Sequence, residues 1–227
     1  MTEEKFIAII GDINDSKLLE NREEIQNHFI QNLNLLNKKY EKYMASYFTI
    51  SMGDSVQGLL YAEAPVTTII REIELSMLPT EFKFGIGIGS IHTQLNRKNS
   101  QLNDGPAYHN ARQALEIVEE KNHKHASSKI DTYLVIEQSE MHKVLLINTI
   151  FSLNTELKSR WTARQKEIIK AYFDNNENQY ETAKALEIGQ SSVSKALKSA
   201  GFYAYISSQK NVESYLLNYL VGERNDL

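Results

Sequence analysis

"FIAIIGDINDSK", Phe6 to Lys17, predicts the first core strand, because five apolar residues rich in β-branched side chains are followed by Gly11 and the acidic Asp12. A short apolar run of this kind is typical of a buried strand. The run ends at Gly11-Asp12, and Asp15 follows three residues later. A core strand that ends on a carboxylate indicates a candidate functional site at this end of the predicted strand.

The composition is that of an ordinary globular protein. Of 227 residues, 41% are hydrophobic and 24% are charged, which suits one large domain or two modest ones. The first apolar run is too short for a signal peptide or a membrane span, so we expect a cytoplasmic protein with no membrane association. The chain has no cysteine, which excludes disulfides and thiolate chemistry and leaves oxygen or imidazole as the ligands of any metal.

The net charge of -4 hides an asymmetry between the two ends of the chain. Residues 159–227 hold nine Lys/Arg against eight Asp/Glu, whereas the rest of the chain holds 16 against 21. The acidic part is therefore N-terminal. An acidic average does not argue against nucleic-acid binding by the C-terminal part.

The N-terminal 140 residues or so predict the element order β-α-β-β-α-β-α-β. "YFTISMGDSVQGLLYA" favours two strands around a turn at Gly53-Asp54, and "FKFGIGIGSIHT" is typical of a strand that packs closely against another backbone. This order predicts an α+β sandwich with an antiparallel-centred sheet and helices on one face. The apolar face of the first, long helix is predicted to consist of Ile25, Phe29, Leu33, Leu36, Tyr40 and Met44.

Asp12 and Asp54 are the candidate metal ligands. In the predicted fold, the end of the first strand and the turn of the following hairpin lie side by side at one edge of the sheet. Two converging carboxylates repel each other unless a cation lies between them, and magnesium with a nucleotide phosphate is the usual occupant. The alternative is that each aspartate only forms a turn, because Asp and Gly are common turn residues.

A helix-turn-helix pattern occupies the C-terminal region. Thr162 is suited to cap the helix of "ARQKEIIKAYF". In "YETAKALEIGQSSVSKAL", Ala183 is small where two helices would cross, Gly189 stands at the turn, and Val193 and Leu197 are spaced to face a core.

The outer side of the last predicted helix favours DNA. No acidic residue occurs between Gln190 and Gly201, and amide and hydroxyl groups pair with base edges while lysines pair with phosphates. A three-helix packing or dimerisation module is the alternative. The residues predicted to contact double-stranded DNA are Gln190, Ser191, Ser192, Ser194, Lys195 and Lys198.

Four segments carry a resemblance to a known fold: "FIAIIGDINDS", "TISMGDSVQGLL", "FGIGIGSI" and "DGPAYHNARQALE". In order and spacing they resemble a reduced class III nucleotidyl cyclase fold, which GGDEF domains share. With a C-terminal helix-turn-helix that is similar to sigma-factor region four, the chain resembles the SatD family of bacterial proteins. The resemblance implies a ferredoxin-like, cyclase-type sandwich over 1–140, a connecting helix over 141–158 and an all-α DNA-binding domain over 159–227.

The cyclase pattern is matched only in part. The resemblance implies that Asp12 and Asp54 hold metal, but Ile50 stands where cyclases carry a purine-selecting lysine. The positions of the cyclase Asn and Arg fall on His109 and Gln113, so cyclisation lacks its electrostatic clamp and no catalytic residue is assigned. The candidate ligand-binding residues are Asp12, Gly53, Asp54, His109, Asn110 and Arg112.

Two functions therefore remain open. The first is a DNA-binding transcription regulator, expected to be a homodimer, whose cyclase-like domain senses a nucleotide or related small anionic ligand, with or without magnesium, or serves to dimerise. The second is a metal-dependent enzyme that acts on a nucleoside triphosphate as a cyclase or hydrolase.

Overall fold

The N-terminal part of the chain folds as an α+β unit with a mixed five-stranded sheet. The computed structural model describes residues 4–14, 22–51, 55–124, 129–136 and 141–222. The predicted element order is confirmed. The elements are β1 (Phe6–Ile13), α1 (Arg22–Lys39), β2 (Met44–Ser51), β3 (Ser55–Leu60), α2 (Val66–Ser76), β4 (Phe82–Gly89), α3 (Pro106–Lys124) and β5 (Thr132–Val135).

The strands lie in the order β2-β3-β1-β4-β5, so the first strand is central. β1 pairs antiparallel with β3 and with β4, and β2 pairs antiparallel with β3. Among the strands that the structure describes, only the pair β4–β5 is parallel. An antiparallel-centred sheet is thus confirmed, and β1 has a paired strand on each side. The apolar residues of β1 are buried on both faces of the sheet, Ile7 and Ile9 in one core and Ala8 and Ile10 in another.

The prediction of helices on one face only is wrong, because helices cover both faces. β4 alternates glycine on one side with Phe and Ile on the other. α3 packs on the glycine side, where a Cβ at Gly87 would collide with the backbone of Ala111. α1 and α2 cover the opposite face with buried residues such as Phe29 and Ile69. Each face of β4 excludes water only if a helix lies over it, so two helical layers are required.

The long first helix is shorter than predicted. α1 ends at Lys39, a short 3-10 turn follows at Glu41–Tyr43, and Met44 is already the first residue of β2. Tyr40 and Met44 are both buried in the core beneath the sheet. The helical spacing of apolar residues therefore continued past the real end of the helix, because the turn returns the chain to the same core.

The regular elements described in the C-terminal part, up to residue 222, are all helices. They are α4 (Met141–Ser159), α5 (Ala163–Asp174), α6 (Gln179–Ala185), α7 (Gln190–Ser199) and α8 (Phe202–Val221). The predicted cap at Thr162 is confirmed: its hydroxyl accepts from the backbone N–H of Gln165, and the Gln165 side chain accepts from the backbone N–H of Thr162. α8 was not predicted from the sequence.

The two parts of the chain share cores. α4 and α8 contribute Ile147, Phe151, Val212 and Leu216 to the core of the α+β unit. Leu75 of α2 in turn belongs to the second core, which α5, α7 and α8 form. The division at residues 140 and 158 stays a prediction, and the structure adds that the connecting helix is itself part of the first core.

Candidate nucleic-acid interface and ligand site

α7 has one apolar side and one polar side. Val193 and Leu197 are completely buried in the second core, and Ala183 of α6 is buried in the same core. These three core predictions are confirmed. Gly189 is the N-cap of α7, and the turn before it places Glu187 in the left-handed region with φ 54°. The short α6–α7 connection therefore fixes which side of α7 faces outward.

The outward side of α7 carries the predicted polar residues. Ser191, Ser192, Lys195 and Lys198 are exposed, while Gln190 is half-buried. A shallow concave surface includes Ser199, which the sequence argument did not select although it lies on the same side of the helix. The residues that line this surface are Gln190, Ser191, Ser194, Lys195, Lys198 and Ser199.

A short chain of hydrogen bonds holds the start of α7. Gln190 Nε2 donates to Gln179 Oε1 over 2.6 Å, and Gln179 Nε2 donates to the Tyr203 hydroxyl over 3.0 Å. Because its amide nitrogen is engaged in this way, the Gln190 side chain has a preferred orientation. Its Oε1 oxygen retains the capacity to accept a further hydrogen bond.

The cationic side chains of α5 have carboxylate partners, whereas those of α7 have none among the described residues. On α5, Arg164 pairs with Glu167 over 2.6 Å and Lys170 pairs with Asp174 over 2.8 Å. Across the ranges that the structure describes, no carboxylate lies within ion-pair distance of Lys195 or Lys198. The side of the helical region that α7 presents is therefore positively charged without internal compensation.

Of the two predicted metal ligands, the structure describes Asp12 but not Asp54. Asp12 lies half-buried on β1, between Ser55 of β3 and Lys83 of β4. Gly53 and Asp54 lie outside the described residues, so the predicted approach of the two aspartates stays a prediction. Over the described ranges no cluster of three or more His, Cys, Asp or Glu side chains is suited to hold a metal ion. Lys83 supplies a positive charge opposite Asp12 in the sheet.

The other candidate ligand residues lie on α3, away from Asp12. Asn110 Nδ2 donates to the carbonyl oxygen of Ile88 over 2.8 Å, and Ile88 is paired with Ile7, five residues before Asp12. Five residues of a strand span about 17 Å. Within one chain, the structure therefore does not bring Asn110 and Asp12 to the same place.

His109 and Arg112 are exposed on the same helix. His109 Nε2 lies 3.0 Å from Asp104 Oδ1, and both side chains are largely open to solvent. Arg112 makes no ion pair with any described residue. The contact of His109 with Asp104 is a local one at the start of α3, and the ligand role of these residues stays a prediction.

A buried charge cluster between the two parts of the chain was not predicted from the sequence. Lys158 Nζ lies 2.5 Å from Glu74 Oε1 and 2.8 Å from Asp131 Oδ2. Burial lowers the pKa of Lys158, but Asp131 and Glu74 together raise it well above the usual value. Burial also raises the pKa of Glu74, against the opposing effect of Lys158. The only sequence signal was a lysine in a helix that is otherwise rich in apolar residues.

Among the helices that the structure describes, none is long and apolar enough to cross a bilayer.

Comparison with solved structures finds nucleotidyl cyclases. A bacterial light-regulated adenylyl cyclase is 16% identical with a TM-score of 0.41, and the match covers 58% of this chain and 42% of that one. The guanylyl cyclase domain of a fusion protein from the aquatic fungus Blastocladiella emersonii is 14% identical with a TM-score of 0.40, over 56% of this chain and 88% of that one.

A third similar structure matches nearly the whole chain. It is a regulator of polyketide synthase expression from Bifidobacterium adolescentis, 13% identical with a TM-score of 0.28, over 99% of this chain and 88% of that one. None of the curated protein sequences matches the chain. The model of the SatD family matches residues 6–216, and the chain therefore belongs to the SatD family.

Proposed function

We propose that this SatD-family chain binds double-stranded DNA as a transcription regulator, with α6, the following turn and α7 acting as a helix-turn-helix. The observation that carries the proposal is the pair Lys195 and Lys198, exposed on α7 and without an internal carboxylate partner in the described part of the chain. Phosphate oxygens are the partners that such lysines select on DNA. The buried Val193 and Leu197 hold α7 with these lysines outward.

The residues of α7 take two roles in this proposal. Lys195 and Lys198 contact phosphates and set affinity. Gln190 and the serines at the start of the helix reach base edges and set sequence preference, as the first turn of a recognition helix does. The hydrogen bond from Gln190 to Gln179 prearranges that amide, which reduces the entropy lost when its free oxygen accepts a hydrogen bond from a base.

A homodimer is part of the proposal, because two helix-turn-helix units read two half-sites. α4 offers a surface for it: Leu146 and Leu153 are 69% and 64% exposed and lie on one side of the helix. In an antiparallel pair of α4 helices, Leu146 faces Leu153 of the second copy and Lys143 faces Glu156. Sedimentation of Leu146→Glu tests this pairing, which predicts a shift from dimer to monomer. An unchanged dimer excludes α4 as the contact.

Ligand sensing is proposed for the end of the central strand β1, around Asp12. A nucleotide or small anion with magnesium would be recognised there with the help of Asp54, and a change at Asp12 should remove it. Calorimetry on Asp12→Asn with magnesium and each nucleoside triphosphate tests the role. Equal heats for Asp12→Asn and the unaltered protein would reduce Asp12 to a turn-forming residue.

The DNA-binding proposal is tested with lysine variants at several salt concentrations. Lys195→Ala and Lys198→Ala should weaken binding to operator and scrambled duplexes alike, and each should lower the slope of log K against log salt by about one. Lys38→Ala, an exposed lysine on α1, is the matched control and should bind as the unaltered protein does. The proposal fails if the unaltered protein has no affinity for DNA at low salt, or if all three variants behave alike.

A further inference from the structure

A cavity of about 150 Å³ lies where the two parts of the chain meet. The α+β unit contributes Asn14, Leu78 and Phe82 to its wall, and the helical part contributes Trp161 and Ile169. Phe82 belongs to the first core, while Trp161 and Ile169 belong to the second. The cavity is therefore lined by residues of both cores and is partly open to solvent.

Two buried polar atoms on the cavity wall have no hydrogen-bond partner among the residues that the structure describes. They are Asn14 Oδ1, an acceptor, and Arg71 Nε, a donor. The rest of the Arg71 guanidinium is engaged, since it donates to Gln209 Oε1 and stacks on the ring of Phe173. Buried polar atoms in native proteins almost always have a partner, so these two atoms favour an occupant that both donates and accepts a hydrogen bond.

The charges around the cavity leave little net field inside it. Lys158 is matched by Glu74 and Asp131, and Arg71 brings the count of these four groups to two positive and two negative. Lys166 is matched by Glu81, 3.6 Å away, and Lys129, which is exposed, adds one further positive charge to the wall. The less exposed groups around Lys158 offer no net counter-charge, so an ion that is buried beside them would lose its hydration without compensation, and this part of the wall selects against ions.

The size of the cavity limits the occupant further. A cavity of about 150 Å³ accommodates one benzene-sized ring, and a nucleotide is several times larger. Asp12, the candidate nucleotide-binding residue, is not part of the wall. The cavity is thus a different place from the ligand site proposed above.

We propose that this cavity binds an uncharged planar ring compound that carries both a hydrogen-bond donor and an acceptor. The ring packs against Phe82, Trp161 and Ile169, its donor group pairs with Asn14 Oδ1, and its acceptor group pairs with Arg71 Nε. This proposal does not depend on the proposed function, because neither Asp12 nor any residue of α7 belongs to the cavity wall.

Trp161 provides a direct reporter of occupancy. It is the only tryptophan of the chain, it lines the cavity, and its indole N–H donates to the carbonyl oxygen of Ala200 over 2.7 Å. An occupant that packs against the indole ring changes both its fluorescence and the NMR resonance of that N–H group. Ala200 is the C-cap of α7, so the same hydrogen bond ties the cavity wall to the end of that helix.

The experiment titrates the full chain with three small probes and follows the Trp161 signals. 2-Pyridone is uncharged and carries one donor and one acceptor, benzene carries neither, and benzoate carries a charge. We expect saturable binding of 2-pyridone and an affinity for benzene and benzoate that is weaker by about tenfold or more, because a site built to form hydrogen bonds rejects analogues that lack them.

Variants locate the site. Asn14→Leu removes the free acceptor at similar volume, and Leu78→Phe reduces the cavity; each should weaken 2-pyridone binding by about tenfold or more. Asn34→Leu makes the same substitution on the exposed surface of α1 and should leave binding unchanged. If the Trp161 signals do not respond to 2-pyridone, the proposal is wrong and the cavity holds only water. Equal binding of the three probes, or binding that survives both cavity variants, overturns it as well.

Discussion

Lys158 and the pair Lys195 and Lys198 show two uses of the same side chain in one molecule. Lys158 is 17% exposed and holds two carboxylates from distant parts of the chain, so its charge is consumed internally. Lys195 and Lys198 are exposed on α7, where the described part of the chain offers them no carboxylate. The difference separates a charge that stabilises the fold from charges that are available to a partner.

The largest expected effect comes from removing the internal charge. Lys158→Met leaves Glu74 and Asp131 close together in a buried place without a cation, and we expect a loss of about 3 kcal/mol or more in the free energy of unfolding. Urea denaturation at neutral pH measures it, with Lys38→Met as the exposed control. A loss as small as that of the control would show that the buried cluster does not contribute to stability.

The stability that Lys158→Met loses should depend on pH. Burial raises the pKa of Glu74, and removing Lys158 takes away the main effect that lowers it. The folded variant therefore binds a proton at Glu74 at a higher pH than the unfolded chain does, so the contribution of Glu74 to stability is full in acid and is lost as the pH rises through the folded-state pKa. Urea midpoints measured from neutral pH downward should converge with those of the unaltered protein. A difference that does not change with pH would contradict this.

Gln190 combines an internal role with an outward one, because it donates a hydrogen bond to Gln179 and also lines the outer side of α7 at the start of that helix. Gln190→Ala should change which DNA sequence is preferred by about 1–3 kcal/mol. Competition between operator and single-base variants of the operator measures this preference. An unchanged ranking of sequences would restrict Gln190 to its internal hydrogen bond.

The smallest expected effect concerns a residue with an internal role alone. Thr162→Ala removes the cap of α5 and should cost about 1 kcal/mol in the free energy of unfolding. Below the unfolding transition it should leave DNA affinity and its salt dependence unchanged. Denaturation and DNA titration of the same preparation check both statements, and a change in the salt slope would mean that α5 also contacts DNA.

Local patterns predicted much of the fold. The spacing of Val193 and Leu197, the cap at Thr162 and the order of helices and strands along the N-terminal part of the chain follow from short stretches of sequence, and all are confirmed. The second helical layer was missed because the glycines of β4 show that a backbone comes close, without showing which helix lies over each face. α1 was predicted too long because Tyr40 and Met44 continue its apolar spacing beyond its end.

The functional residues also differ in whether a local sequence pattern predicts them. The outward residues of α7 were predictable because helical geometry alone fixes which side they share. The cluster around Lys158 was not, since Glu74 is 84 residues away in sequence and the two meet only when the helical part packs on the α+β unit. The same packing creates the cavity beside Trp161, which no local pattern indicates.

Binding of DNA by α7 can be observed residue by residue in solution. Uniformly ¹⁵N-labelled full chain is titrated with a short duplex at low salt, and the shifts of the backbone amides are mapped along the sequence. We expect the largest changes from Gln190 to Ser199, with small changes on β1 to β5. If no amide responds, or if the changes lie on the α+β unit while α7 stays unaffected, α7 is not the DNA-binding element and the proposed function is wrong.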